Sequence, residues 1–230
     1  MTIIAERLPE PPMCTNYAAA RRDQLFKHYG IEPPDSPWRD DVYKDYPAPI
    51  IRRVDGAERA DVATFGIVPR KHIPEGVKLF DTMNARSETV GEKRSFSGAW
   101  KKQQLCLIPA EAFYEPNYES GKAVRWRIGL ASGEPFAIAG LWREWSEPEG
   151  PALSFTMLTL NADEHPLMNR FHAPGKEKRG VVILPREAYS DWLACRSMDE
   201  ARSFLNLMPA DKMHAEAFPA PPRAARAATA

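Results

Sequence analysis

The sequence predicts an α+β fold, a single domain with a mostly antiparallel sheet and helices flanking both ends. Three observations point there. Short apolar or alternating segments bounded by turn residues dominate the middle of the chain, helix-period segments stand near its two ends, and no internal repeat is present.

Residues 18–30, AAARRDQLFKHYG, predict a helix with Leu25, Phe26 and Tyr29 on one side and Gly30 as its stop. A proline-rich loop follows to about Trp38. PIIRRV (49–54) and VATFGIVP (62–69) have the composition of buried strands. FDTMNARSETV has an irregular polar centre, and FSGAWKKQQ reads as a short helix. CLIPAEAFYEP begins as a buried strand and ends in aromatic and acidic residues. VRWRIGL, PFAIAGLWREW, SFTMLTL and VVILP continue the strands, and REAYSDWLA and DEARSFLNLM close as helices. The Pro/Ala-rich end, FPAPPRAARAATA, has the composition of a flexible tail. The expected organisation is an N-terminal extension over 1–13, a folded domain over 14–210 and a tail over 211–230.

Composition narrows the function classes. The 31 basic and 31 acidic residues cancel, which argues against wholesale coating of a polyanion and leaves room for a local basic groove. Three cysteines in 230 residues make no disulfide framework, and none has zinc spacing, so no metal or organic cofactor is implied and a reducing cytoplasm is expected. No apolar run approaches the roughly 18 residues needed to span a bilayer, and the first twelve residues lack the basic and apolar regions of a secretory signal. Cys106 and Cys195 read as small core residues. Trp142 and Trp145 read as core or sheet surface.

Four polar residues sit oddly inside or beside apolar segments: Cys14, Asn84, Glu115 and His172. Singly, each has an ordinary structural reading as a terminal cysteine, a turn asparagine, an edge glutamate or a loop histidine. Together they lie within MCTN, FGIVP, MNARSETV, CLIPAEAFYEP, a Thr-containing strand with a downstream histidine, and VVILP. In order and rough spacing, from Met13 to about Leu207, these resemble the SRAP family (SOS response-associated peptidase), whose members shield abasic sites in DNA.

The resemblance implies a barrel-like β core and a groove for single-stranded DNA carrying abasic sites. It also implies that Cys14 becomes the first residue once everything through Met13 is absent, either by a start at Met13, the reading favoured here, or by self-cleavage. Asn84 then corresponds to the asparagine that orients the N-terminal residue, and Glu115 and His172 handle protons. His165 competes for the histidine role, and His172 is preferred for its separation from Thr159 and its place before VVILP. Arg86 is expected to meet a phosphate, Phe65 to stack on a base and Thr159 to line the DNA site, with Lys176, Lys178 and Arg179 adding backbone contacts. Several positions depart from the family. Thr15-Asn16 stands where Gly-Arg is usual, Phe65 where tryptophan is usual, Pro116 where an aromatic is usual, and the loop HAPGKEKRG is long.

The chemistry of an N-terminal cysteine stands apart from the resemblance. A free α-amine, with a pKa of about 7.7–8.0, attacks the aldehyde of an opened abasic sugar, and the neighbouring thiol closes a thiazolidine ring. Two other readings stay open: a cysteine peptidase using Cys14, His172 and Asn84 on other proteins, and a non-catalytic single-strand binder indifferent to Cys14. A monomer in the cytoplasm, nucleoid-associated when bound to DNA, is expected.

Overall fold

The structure, a computed structural model, describes residues 16–219. Cys14, the expected extension 1–13 and the last residues of the expected tail lie outside the described residues. In the first half the elements are β1 (Asn16–Ala19), α1 (Arg22–Tyr29), β2 (Asp41–Tyr43), β3 (Pro47–Val54), β4 (Ala57–Phe65), β5 (Asn84–Arg86), α2 (Arg94–Lys101) and β6 (Leu105–Asn117). In the second half they are β7 (Val124–Leu130), β8 (Phe136–Glu147), β9 (Gly150–Asn161), β10 (Arg179–Val181), β11 (Ile183–Leu184), α3 (Tyr189–Ala194), α4 (Met198–Ser203) and β12 (Met213–Ala217).

The strands β3, β4, β9, β8 and β6 pair in a closed circuit, so the centre of the molecule is a five-stranded barrel. Closure satisfies every strand on both sides and leaves no open edge at the centre. All pairings in the circuit are antiparallel except β4 with β9. The α+β class and the mostly antiparallel, barrel-like core expected from the sequence are therefore found. The β3–β4 hairpin turns through Asp55 (φ 50°) and Gly56 (φ 83°). Positive φ at both central residues suits the strand twist, and Asp-Gly supplies it.

Two apolar clusters lie on the two sides of the barrel wall. Ile50, Phe65, Cys106, Ile108, Phe113, Ile138, Phe155 and Met157 fill its interior. Gly140 on β8 is required there, because a Cβ would stand 2.6 Å from Ile108 Cδ1 and 2.8 Å from the Thr156 carbonyl. Outside, Leu25, Trp100, Trp192 and Ala201 bring the four helices onto Ile51, Leu107, Ala139 and Leu158 of the wall. Burying each such large apolar side chain contributes about 1.5–3 kcal/mol.

The N-terminal helix is shorter than its composition suggests. Ala18 and Ala19 belong to β1, paired with Ala112 and Ala110 of β6, so helix α1 begins only at Arg22. Sheet pairing overrides the helix preference of alanine. Leu25 is buried, but Phe26 is exposed, and Gly30 (φ 69°) ends the helix as expected. VVILP breaks in two: β10 pairs with β9, and after Val182 the chain steps across to pair as β11 with β8. Residues 213–217, expected within the tail, instead form β12 along β7. Among the described residues, no helix is long and apolar enough to cross a membrane.

Candidate active site

The site is built on β6, whose two halves have different neighbours. Its first half pairs with β3 and β8 in the barrel, and its second half pairs with β1 and β7. Cys106, Ile108 and Ala110 point to the interior, so an unbroken strand would turn Ala112 and Tyr114 inward next. Instead Phe113 is interior. The register explains the change: β1 pairs Ala19 with Ala110 but Ala18 with Ala112, leaving Glu111 as an extra residue. A β-bulge of this kind exchanges the two faces of a strand. It carries Glu115 and Asn117 to the inward side, where both are buried.

His172 is delivered to Glu115 by the chain that returns past the end of β6. Phe171 bridges to Asn117, the Asn117 side-chain amide donates to the Arg170 carbonyl at 3.1 Å, and the His172 amide donates to the Pro116 carbonyl at 2.9 Å. His172 adopts a left-handed backbone (φ 66°), which costs a residue with a Cβ about 1–2 kcal/mol. Its Nδ1 accepts a long 3.4 Å hydrogen bond from the Arg179 amide, which leaves Nε2 to carry the ring proton. Nε2 lies 3.0 Å from Glu115 Oε2. That is ion-pair distance, although the ring is turned away from the direction of a well-formed hydrogen bond. His165 is used otherwise. Its Nε2 meets the Met208 carbonyl at 2.8 Å, and its Nδ1 accepts from the Leu167 and Met168 amides. His165 thus lies in a structural network, whereas His172 faces Glu115.

Asn84 and Arg86 share one face of β5, opposite Met157 and Thr159 of β9 in parallel register. Met157 belongs to the interior cluster, so the Asn84 face continues the inner surface of the barrel. The Asn84 Oδ1 is buried, whereas the Arg86 side chain is half-exposed and pairs with Glu177 at 2.6 Å. Beside them Arg179 is buried, with both terminal nitrogens of its guanidinium engaged. Glu88 holds it in a two-pronged pair at 2.8 Å for each prong, Glu177 meets it at 2.8 Å, and its Nη2 donates to both oxygens of Thr159. Burial works to raise the Glu88 carboxyl, but the Arg179 hydrogen bonds, the Glu88 and Asn161 amides and the Arg179 charge together hold it below the ordinary value.

Three expectations need correction. Phe65 is fully buried, with its ring stacked on Phe155 at 5.1 Å and edge-on to Tyr17, so it fills the barrel and offers no face to a base. Thr159 is likewise buried, and its hydroxyl is taken by the Ala85 carbonyl and Arg179. Arg179 offers no accessible donor to a DNA backbone, because its side chain is buried and its terminal nitrogens are taken by Glu88, Glu177 and Thr159. Phe80, four residues before Asn84, is an exposed aromatic. Trp145 is sandwiched between His72 and Arg143, in keeping with a surface role. Cys106 is buried, and desolvation pushes its thiol well above its ordinary value. Cys195 is pushed up to about 11 by the same cause. Neither is a ready nucleophile.

The model of the SOS response associated peptidase (SRAP) family matches residues 13–221, and the chain belongs to that family. It is 36% identical over 157 residues to the Bacillus subtilis abasic site processing protein YoqW, covering 66% of this chain and 65% of that protein. It is 34% identical over 158 residues to the abasic site processing protein YobE of the same organism, covering 67% of each. The match thus spans about two thirds of the length of these relatives. A crystal structure of a Bordetella bronchiseptica protein superposes with a TM-score of 0.81 at 39% identity, covering 89% of this chain and 99% of that one.

Proposed function

We propose that this protein processes abasic sites in single-stranded DNA by forming a covalent thiazolidine through Cys14 once Cys14 is the N-terminal residue. The observation that carries this reading is the buried Glu115–His172 pair at the end of β6 toward which β1 begins. Asn16, the first residue of β1, is two residues after Cys14, and β1 runs antiparallel to β6 with its N-terminal end toward Glu115. The names of YoqW and YobE supply the substrate class.

The sugar of an abasic site opens to an aldehyde at C1′. The free α-amine of Cys14 attacks that carbon and gives a carbinolamine, whose hydroxyl leaves as water to give an iminium. The Cys14 thiol then loses its proton and adds to the same carbon, closing a five-membered ring. One amine, one thiol and one aldehyde become one thiazolidine and one water. Glu115 delivers the proton that makes hydroxide a water and takes one back at ring closure, with His172 as its partner. Asn84 orients the α-amine, Arg86 meets the neighbouring phosphate, and exposed Phe80 replaces buried Phe65 as the side chain on which a base stacks. Release of residues 1–13 by hydrolysis of the Met13–Cys14 bond uses the same groups.

The test is incubation with an abasic oligonucleotide followed by a denaturing gel. The wild type is expected to give a heat-stable adduct without reductant. In a chain that begins at residue 14, Cys14→Ala keeps the amine but not the thiol, so it should stop at the imine and be trapped only by borohydride. A heat-stable, reductant-independent adduct from Cys14→Ala would remove the thiazolidine from the account.

A further inference from the structure

Glu177 sits in the loop between His172 and β10, within a segment of the chain longer than the compact family motif. Its two oxygens do different work. Oε1 accepts from Arg179 at 2.8 Å and from the Asn161 side chain at 3.2 Å, and Oε2 pairs with Arg86 at 2.6 Å. Arg179 does not need it, because Glu88 already neutralises that guanidinium with two hydrogen bonds. Arg86 is different: it pairs with Glu177, and its side chain is 49% exposed at the surface beside the site. Desolvation works to raise the Glu177 carboxyl, but Arg179, Asn161 and Arg86 hold it below its ordinary value, so it is an anion at neutral pH.

The loop is fastened in this position. Gly175 takes a positive φ of 73° at the turn, where the Lys176 amide donates to the Ala173 carbonyl at 3.2 Å. The Lys178 ammonium donates to the His172 and Ala173 carbonyls, and the Lys178 amide donates to Asp163 at 2.8 Å. Glu177 is thereby aimed back at Arg86, and a carboxylate presents to a guanidinium the same oxygen pair that a phosphate does.

We propose that Glu177 is an internal phosphate mimic that occupies the Arg86 subsite and sets the affinity of this chain for DNA. The proposal rests on the reading of Arg86 as a phosphate contact. A DNA phosphate must displace the Glu177 oxygen from Arg86, since both cannot share that face without like-charge repulsion. The exchange makes one ion pair as it breaks another, so this contact adds less affinity than an arginine without a carboxylate partner would. Selectivity then falls to what the covalent site recognises, and undamaged single strands are held weakly.

The experiment is equilibrium binding of the full-length protein to a fluorescent oligothymidine without an abasic site, so that no covalent capture intervenes. Four forms are compared across a salt series: wild type, Glu177→Gln, Arg86→Ala and the double variant. Glutamine keeps a hydrogen-bonding side chain on the loop but removes the charge. Glu177→Gln is expected to bind about three- to tenfold tighter, with the salt slope steeper by about one. Arg86→Ala is expected to bind more weakly than wild type, and the gain from Glu177→Gln should vanish in its background. A gain that persists without Arg86 is a general field effect and overturns the proposal. No gain in Glu177→Gln, with Arg86→Ala still weakened, overturns the proposal and leaves the Arg86 reading standing. Undiminished binding by Arg86→Ala removes that reading, and the proposal with it.

Discussion

The two halves of β6 are one strand with two chemistries. Before the bulge, its inward residues Cys106, Ile108 and Ala110 are apolar or held inert, packed against Gly140 and sealed between β3 and β8. After the bulge, its inward residues include Glu115 and Asn117, one facing His172 and the other tying down the loop that carries it. Only Glu111 separates the two regimes, and it points outward to pair with Arg21. The lesson is that a site can be cut into a barrel wall by one additional residue, without weakening the core beside it. The inner half supplies rigidity, and the outer half holds the buried Glu115–His172 pair.

Glu115→Gln should sharpen this contrast most. The substitution keeps shape and removes proton transfer, so thiazolidine formation is expected to slow by about 10²–10⁴-fold. Single-turnover adduct kinetics would report it, with circular dichroism unchanged. A wild-type rate would take Glu115 out of the chemistry. Cys106→Ser probes the inner half. It buries a hydroxyl in the packed interior and should lower unfolding free energy by about 1–3 kcal/mol in urea melts, while the folded protein keeps its adduct rate. A rate loss with unchanged stability would mean that the inner half also does chemistry. Glu111→Gln should matter least. Its pair with Arg21 is at the surface, so a stability change within about 0.5 kcal/mol and an unchanged rate are expected. A large rate effect from Glu111 would break the division between the faces of β6.

Much of this was legible in the sequence. The strand segments and the α+β class follow from apolar runs and turn residues, and Asn84, Glu115 and His172 stood out as polar interruptions whose roles came only with the family resemblance. The bulge at Glu111 was not legible, because alternation along LCLIPAEAFYEP fits either face and only the pairing with β1 selects one. Phe65 was misread for a related reason: an aromatic at a strand end looks the same whether the next layer is a base or Phe155. Arg179 looked like a DNA contact because its partners Glu88 and Thr159 are distant in sequence. The short strand β12 was hidden by the Pro/Ala-rich composition that begins just after it.

The most direct test is the intact mass of the purified protein before and after incubation with abasic single-stranded DNA. The account predicts a chain beginning at Cys14 whose mass rises by that of the oligonucleotide less one water, with the added mass located on Cys14 by peptide mapping. A chain that begins at Cys14 and gains no DNA mass, or that carries it on any other residue, would contradict it.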